Sequence, residues 1–86
     1  MEKYDLFFCK SVTRDLRPIP GNEVRGILEA LRSLAGNPRP PESRKLSGDE
    51  KHRLRCGVHR ILYLIDDPGG LVCVVKVAHR KEVRRT

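Results

Sequence analysis

The spacing of apolar residues changes once along this chain, and the change falls at a run of prolines. Val24, Ile27, Leu28, Leu31 and Leu34 recur on one helical face, with Arg25, Glu29 and Arg32 opposite. Gly36-Asn37 marks the end of that helix, and Pro38, Pro40 and Pro41 enforce a non-helical connector. Beyond it the period is two. In Lys51 to Cys56, Leu54 and Cys56 fall on one side and Lys51, Arg53 and Arg55 on the other, which predicts a half-buried strand with a basic outer face. A helical pattern followed by strand patterns predicts helices layered on a sheet.

The remaining segments fill in that plan. Tyr4 to Cys9 predicts a first strand, and Ser11 is the expected N-cap of a short helix with Val12 and Leu16 on one face. Pro18-Ile19-Pro20-Gly21 interrupts it, and Asn22 is the expected cap of the longer helix. Gly57-Val58 offers a tight turn between Lys51–Cys56 and a strand over His59–Ile65, and Asp66-Asp67-Pro68-Gly69-Gly70 is a dense turn signal. Leu71 to Ala78 is apolar on both parities, as a central strand would be, and His79 to Thr86 is a basic tail. The expected fold is therefore α+β, in the order β-α-α-β-β-β, with two helices on one face of a small antiparallel sheet. Its 86 residues bound it to a single domain, residues 1–86, and exclude a doubly wound nucleotide-binding sheet or a two-domain enzyme. With aromatics at 5% and no Trp, the core must be aliphatic.

Charge is unevenly placed. Residues 1–42 carry seven basic and six acidic side chains, whereas residues 43–86 carry eleven basic and five acidic ones. The second half alone holds the polyanion signal, and nucleic acid or ribosome is the first partner class it suggests. A membrane partner is not expected, because no apolar run approaches the roughly 20 residues needed to span a bilayer. The charged start Met1-Glu2-Lys3-Tyr4-Asp5 lacks the apolar run of a signal peptide, so the expected compartment is the cytoplasm. Cys9, Cys56 and Cys73 are widely spaced with no CxxC, and His52, His59 and His79 have no second ligand at short spacing. Neither a metal nor a cofactor is expected.

What the residues do offer is cations in strand-like register. Lys51, Arg53 and Arg55 alternate on one strand, Arg60 opens the next, and Arg80, Lys81, Arg84 and Arg85 follow the last. If consecutive strands pair as hairpins, several of these cations converge on the sheet face opposite the helices. Such a surface binds phosphate, and Arg does so bidentately. It can also catalyse cleavage of RNA by its own 2′-OH, where cationic groups stabilise the phosphorane and assist the leaving oxygen. The bland alternative is that the alternation is only the solvated face of a strand.

The sequence resembles the RelE/ParE superfamily of toxins from type II toxin–antitoxin systems over nearly its whole length. Tyr4-Asp5-Leu6-Phe7-Phe8 with Lys10-Ser11-Val12 and Asp15-Leu16 is similar to the family's first strand and helix. Lys45-Leu46-Ser47-Gly48, Arg53-Leu54-Arg55-Cys56-Gly57 and Arg60-Ile61-Leu62-Tyr63 resemble its central K-L-x-G … R-L-R-x-G-x-x-R block. Ala78-His79-Arg80-Lys81-Glu82-Val83 is similar to its ending. The resemblance implies a toxin that, if RelE-like, cleaves mRNA in the ribosomal A site without a metal. Lys51 then matches the base or phosphate contact, Arg53 a second cation, Arg60 the group stabilising the transition state, and Arg80 the one assisting the leaving oxygen. Arg84 stands where the family usually carries a base-stacking Tyr, and His79 is the candidate to replace that Tyr in proton transfer. Lys45, Arg55, Lys81 and Arg84 are expected RNA contacts. The implied partners are the ribosome with its mRNA and an acidic, RelB-like antitoxin that wraps the toxin with a helix in a hetero-oligomer. The ParE-like alternative binds and inhibits DNA gyrase without nuclease chemistry.

Overall fold

A strand that is apolar on both parities calls for partners on both edges, and Leu71–His79 has them, with helices packed on one of its faces. The computed structural model describes residues 3–46, 48 and 50–79. In chain order the elements are β1 (Asp5–Phe8), α1 (Lys10–Leu16), α2 (Gly21–Gly36), β2 (Arg44–Lys45), β3 (His52–Cys56), β4 (His59–Asp66) and β5 (Leu71–His79). They form one five-stranded sheet in the order β1-β5-β4-β3-β2. The expected order of helices and strands holds, with β2 added ahead of the meander.

The sheet is mixed where a wholly antiparallel one was expected. β1 runs parallel to β5, pairing Leu6 with Val72 and Phe8 with Val74, because the two helices return the chain across one face before the meander begins. β1 is also shorter than β5. Past Phe8, α1 takes over the exposed edge: Ser11 Oγ donates to the Val75 carbonyl (3.0 Å), and the Val77 amide donates to Asp15 Oδ2 (3.1 Å). Ser11 is therefore not the N-cap of α1, which starts after Cys9 with no side-chain cap. Asn22 is likewise not the cap of α2, whose N-cap is Pro20. The fixed φ of Pro20 sets the entry geometry instead.

One face of the sheet carries the core. Ile27, Leu31 and Leu34 of α2 and Val12 of α1 pack on Leu54, Ile61, Tyr63, Val72, Val74 and Val77, all nearly or wholly buried. Each large aliphatic buried there contributes about 1.5–3 kcal/mol. Leu28 lies one residue off this stripe and remains 46% exposed. Register shifts at Leu62/Tyr63, where Val75 is the extra residue of a β-bulge. The bulge inverts the parity of β5, so Val72, Val74 and Val77 all reach the core while Lys76 faces away. Gly57, at φ 63°, makes the two-residue β3–β4 turn, a conformation costly for any other residue.

The proline connector crosses the end of the sheet and is pinned there. The Tyr63 hydroxyl donates to the Pro38 carbonyl (2.7 Å), and the His52 ring stacks on Tyr63 at 5.5 Å. Arg39 grips Asp67 through Nη2–Oδ2 (2.8 Å) and Nη1–Oδ1 (3.2 Å), and the Tyr4 hydroxyl donates to the same carboxylate (2.7 Å). The Arg39 hydrogen bonds, then that of Tyr4, hold the Asp67 carboxyl below the usual carboxylate range. This contribution to stability is complete above the unfolded-state value of about 3.9 and is lost as pH falls through the lower folded-state value. Urea midpoints measured from pH 5 down to 2 should decline with a component that Asp67→Asn lacks. Identical pH profiles for the two proteins would contradict it.

Candidate nucleic-acid interface

Residues paired directly across a ladder share a face, so the register sorts the cations without ambiguity. Arg53 pairs with Arg44 on one side and Leu62 on the other, and Leu62 pairs with Lys76. Arg55 pairs with Arg60, which pairs with Ala78. Their neighbours Leu54, Ile61 and Val77 belong to the helix-side core. Arg44, Arg53, Arg55, Arg60 and Lys76 therefore occupy the opposite, helix-free face.

This face has a small apolar floor of its own. Leu62 is 7% exposed and Ala78 2%, yet neither belongs to the helix-side core. Arg60 is half-buried beside them, with its Nε withdrawn from solvent. Glu42, Arg44, Arg53 and Arg55 line a cleft of about 440 Å³ at the β2–β3 edge, and a second cleft of about 210 Å³ runs from Arg55 to Arg60.

Two of the cross-strand pairs, Arg44–Arg53 and Arg55–Arg60, set like charges directly opposite one another. Opposed like charges destabilise a sheet by a few tenths to about 1 kcal/mol each relative to neutral pairs. A polyanion lying across the strands would relieve both. Arg53→Gln is accordingly expected to raise stability by about 0.2–1 kcal/mol at low salt, with the gain shrinking as salt screens the repulsion. A loss of stability at low salt would mean that the repulsion is already compensated within the fold.

The remaining sequence candidates among the described residues divide between the two faces. Lys51 flanks β3 on the Arg53 side and is half-buried, its carbonyl accepting from the Leu46 amide (2.9 Å). Lys45 pairs with His52, on the other parity. His79 pairs with His59, and Val77 two residues before it is in the core, so its imidazole lies on the helix side. There the two rings meet edge to face at 5.6 Å, and His59 Nδ1 is 3.8 Å from Glu23 Oε1. Both histidines line a cleft of about 530 Å³ with Asp15, Ile19, Glu23 and Val58. The sheet thus separates His79 from Arg53, Arg55 and Arg60. Arg80, Lys81 and Arg84 lie outside the described residues. Among the described residues, no three His, Cys, Asp or Glu side chains are grouped to hold a metal, and no helix is long and apolar enough to cross a membrane.

Two cations of the face escaped sequence reasoning. Arg44 sits in a two-residue strand, too short to show any period. Lys76 reaches the face only because the Val75 bulge inverts its parity; the one signal was a lone charge inside the apolar run from Leu71 to Ala78. Its Nζ stands 3.8 Å from Asp15 Oδ1.

Comparison with known proteins gives consistent matches. The family model of the ParE toxin of type II toxin–antitoxin systems matches residues 8–84. Toxin RelG of Mycobacterium tuberculosis is 31% identical over 86 residues, covering 95% of this chain and 97% of that protein. The structure of the toxin–antitoxin complex RelBE2 from the same organism contains a chain with a TM-score of 0.82 and 28% identity, covering 93% of this chain and 94% of that one. The RelE–RelB complex of Pyrococcus horikoshii OT3 gives 0.82 and 26%, covering 91% and 96%.

Proposed function

The chain belongs to the ParE toxin family of type II toxin–antitoxin systems, within the RelE/ParE superfamily, and from that membership we propose that it is a RelE-like, metal-independent endoribonuclease. It acts in the cytoplasm on mRNA in the ribosomal A site. The observation that carries this reading is the helix-free face, where Arg44, Arg53, Arg55 and Arg60 are held in direct register. A phosphodiester laid along β3 and β4 meets guanidinium groups from both strands.

The chemistry asks for little else. The 2′-oxygen bonds to the adjacent phosphorus as its proton passes to a base, and the P–O5′ bond breaks as the leaving oxygen takes up a proton. The products carry a 2′,3′-cyclic phosphate and a 5′-hydroxyl. Arg60, half-buried on β4 beside Leu62 and Ala78, stabilises the phosphorane charge, as preorganised donors do at an oxyanion. Arg53 and Arg55 hold the strand, and Lys51 stands beside Arg53 as the proton acceptor or phosphate contact. Arg80 carries the leaving-group role by resemblance alone. This reading gives His79 no step, since its parity puts it on the helix side of the sheet. In the cell an acidic antitoxin would cover the toxin, a reading supported by relatives solved as RelE–RelB complexes.

End analysis of cleaved mRNA tests the chemistry: a 2′,3′-cyclic phosphate is expected, and a 3′-hydroxyl product would contradict attack by the 2′-oxygen. Binding to single-stranded RNA should weaken linearly in log salt, by about 0.7 per phosphate contact. Arg53→Gln should reduce that slope by roughly one such unit. A slope unchanged in this variant would remove Arg53 from the interface. The ParE description of the matching family favours a second reading, inhibition of DNA gyrase by binding, which leaves mRNA intact.

A further inference from the structure

Tyr and Phe occur twice each in this chain and Trp not at all, and the four aromatic rings have distinct fates. Tyr63 is fully buried, and Tyr4 is tied to Asp67. Phe8 pairs with Val74, a core residue, and so lies on the helix side. Phe7 pairs with Cys73, which pairs with Leu64, and this parity is that of Leu62 and Arg60. Among the described residues Phe7 is thus the only aromatic side chain on the basic face, and it is 53% exposed.

Resting on the nuclease reading above, we infer that Phe7 is the stacking platform for a base of the bound single-stranded RNA, a role for which the chain has no other ring on that face. Strands about 4.8 Å apart with a rise near 3.4 Å per residue put Phe7 roughly 16 Å from Arg53 across the sheet. Lys76, one strand from Phe7, lies between the ring and the arginines. A short single strand therefore spans the ring and the cations together, backbone over Arg53, Arg55 and Arg60, with one base laid on Phe7. Stacking needs no hydrogen bonds, so this contact tolerates any base. An exposed Phe in an edge strand has no role in the core to explain it, whereas an aromatic beside a row of cations is the usual composition of a single-strand groove.

The absence of Trp supplies the test. Phe7→Trp places a single indole in the protein, and its fluorescence should be quenched on titration with a short single-stranded RNA. An RNA of equal length with abasic positions should bind without that quenching. Phe7→Ala should weaken binding of the base-bearing RNA on the order of 5- to 150-fold, abolish the difference between the two RNAs, and leave antitoxin binding intact. Phe8→Ala, at a ring 45% exposed on the other face, should change neither RNA binding nor the difference between the two RNAs. Unquenched indole fluorescence on RNA that binds, or a response to antitoxin alone, would overturn the inference. If Phe7→Ala instead cleaves and binds as the parent does, the nuclease reading stands and this one fails. If quenching occurs but mRNA is never cleaved, stacking stands and the nuclease reading fails.

Discussion

Replacing Arg60 by Ala is expected to slow cleavage of ribosome-bound mRNA by about 100- to 1,000-fold, the effect of removing one preorganised donor from a developing oxyanion. Three features single out Arg60 among the cations of the face. It is the only one of these cations among the described residues carried by β4, the middle strand of the sheet, and its backbone is held between β3 and β5. It is half-buried over the floor made by Leu62 and Ala78, where a charge–charge interaction is screened less than at the exposed Arg44 or Arg55. It also faces Arg55 across the ladder, so a phosphate bound between them is held from two strands. Arg60→Lys keeps the charge but loses the planar fork, and most of the loss should persist. Because Arg60 also packs within the face, the thermal transition and antitoxin binding of both variants must be compared with the parent. Full cleavage by a folded Arg60→Ala protein would remove the site.

The largest effect on stability is expected at Tyr63. Its ring is completely buried in the helix-side core, stacked against His52, and its hydroxyl donates to the Pro38 carbonyl. Tyr63→Ala should cost about 3–5 kcal/mol. A domain of this size has only about 5–15 kcal/mol in total, and each kcal/mol moves its melting temperature by roughly 4–8 °C. Tyr63→Phe separates the ring from the hydroxyl, leaving the Pro38 carbonyl short of a partner for about 1–3 kcal/mol. That hydrogen bond fixes the connector leading into β2, so Tyr63→Phe should also weaken RNA binding slightly through Arg44. Thermal melts of the two variants check the order; a Tyr63→Ala protein that melts within a few degrees of the parent would contradict the packing described.

The layered plan was legible because period is a local property. The spacing of Ile27, Leu31 and Leu34 and the alternation from Arg53 to Cys56 each follow from the geometry of one element. The Gly57-Val58 turn was legible for the same reason, since a positive φ at Gly57 is written in the residue itself. What escaped depends on partners far along the chain. The parallel pairing of β1 with β5, the capture of the β5 edge by Ser11 and Asp15, and the β2 strand all join distant segments. The candidate site divides the same way. Arg53, Arg55 and Arg60 share a face by alternation and a two-residue turn, both readable in sequence. His79 is adjacent to Arg80 in the chain, but it is carried to the helix side by a bulge that no local pattern marks. Lys76 is carried to the basic face by the same bulge.

The central claim is that the helix-free face cleaves mRNA on the ribosome, and primer extension on mRNA from a reconstituted translation reaction tests it directly. With the purified toxin added, discrete reverse-transcription stops within codons are expected, absent when ribosomes are omitted and absent when the antitoxin is present. Intact mRNA in the presence of folded toxin, together with loss of gyrase supercoiling, would contradict the claim and make the basic face a binding surface alone.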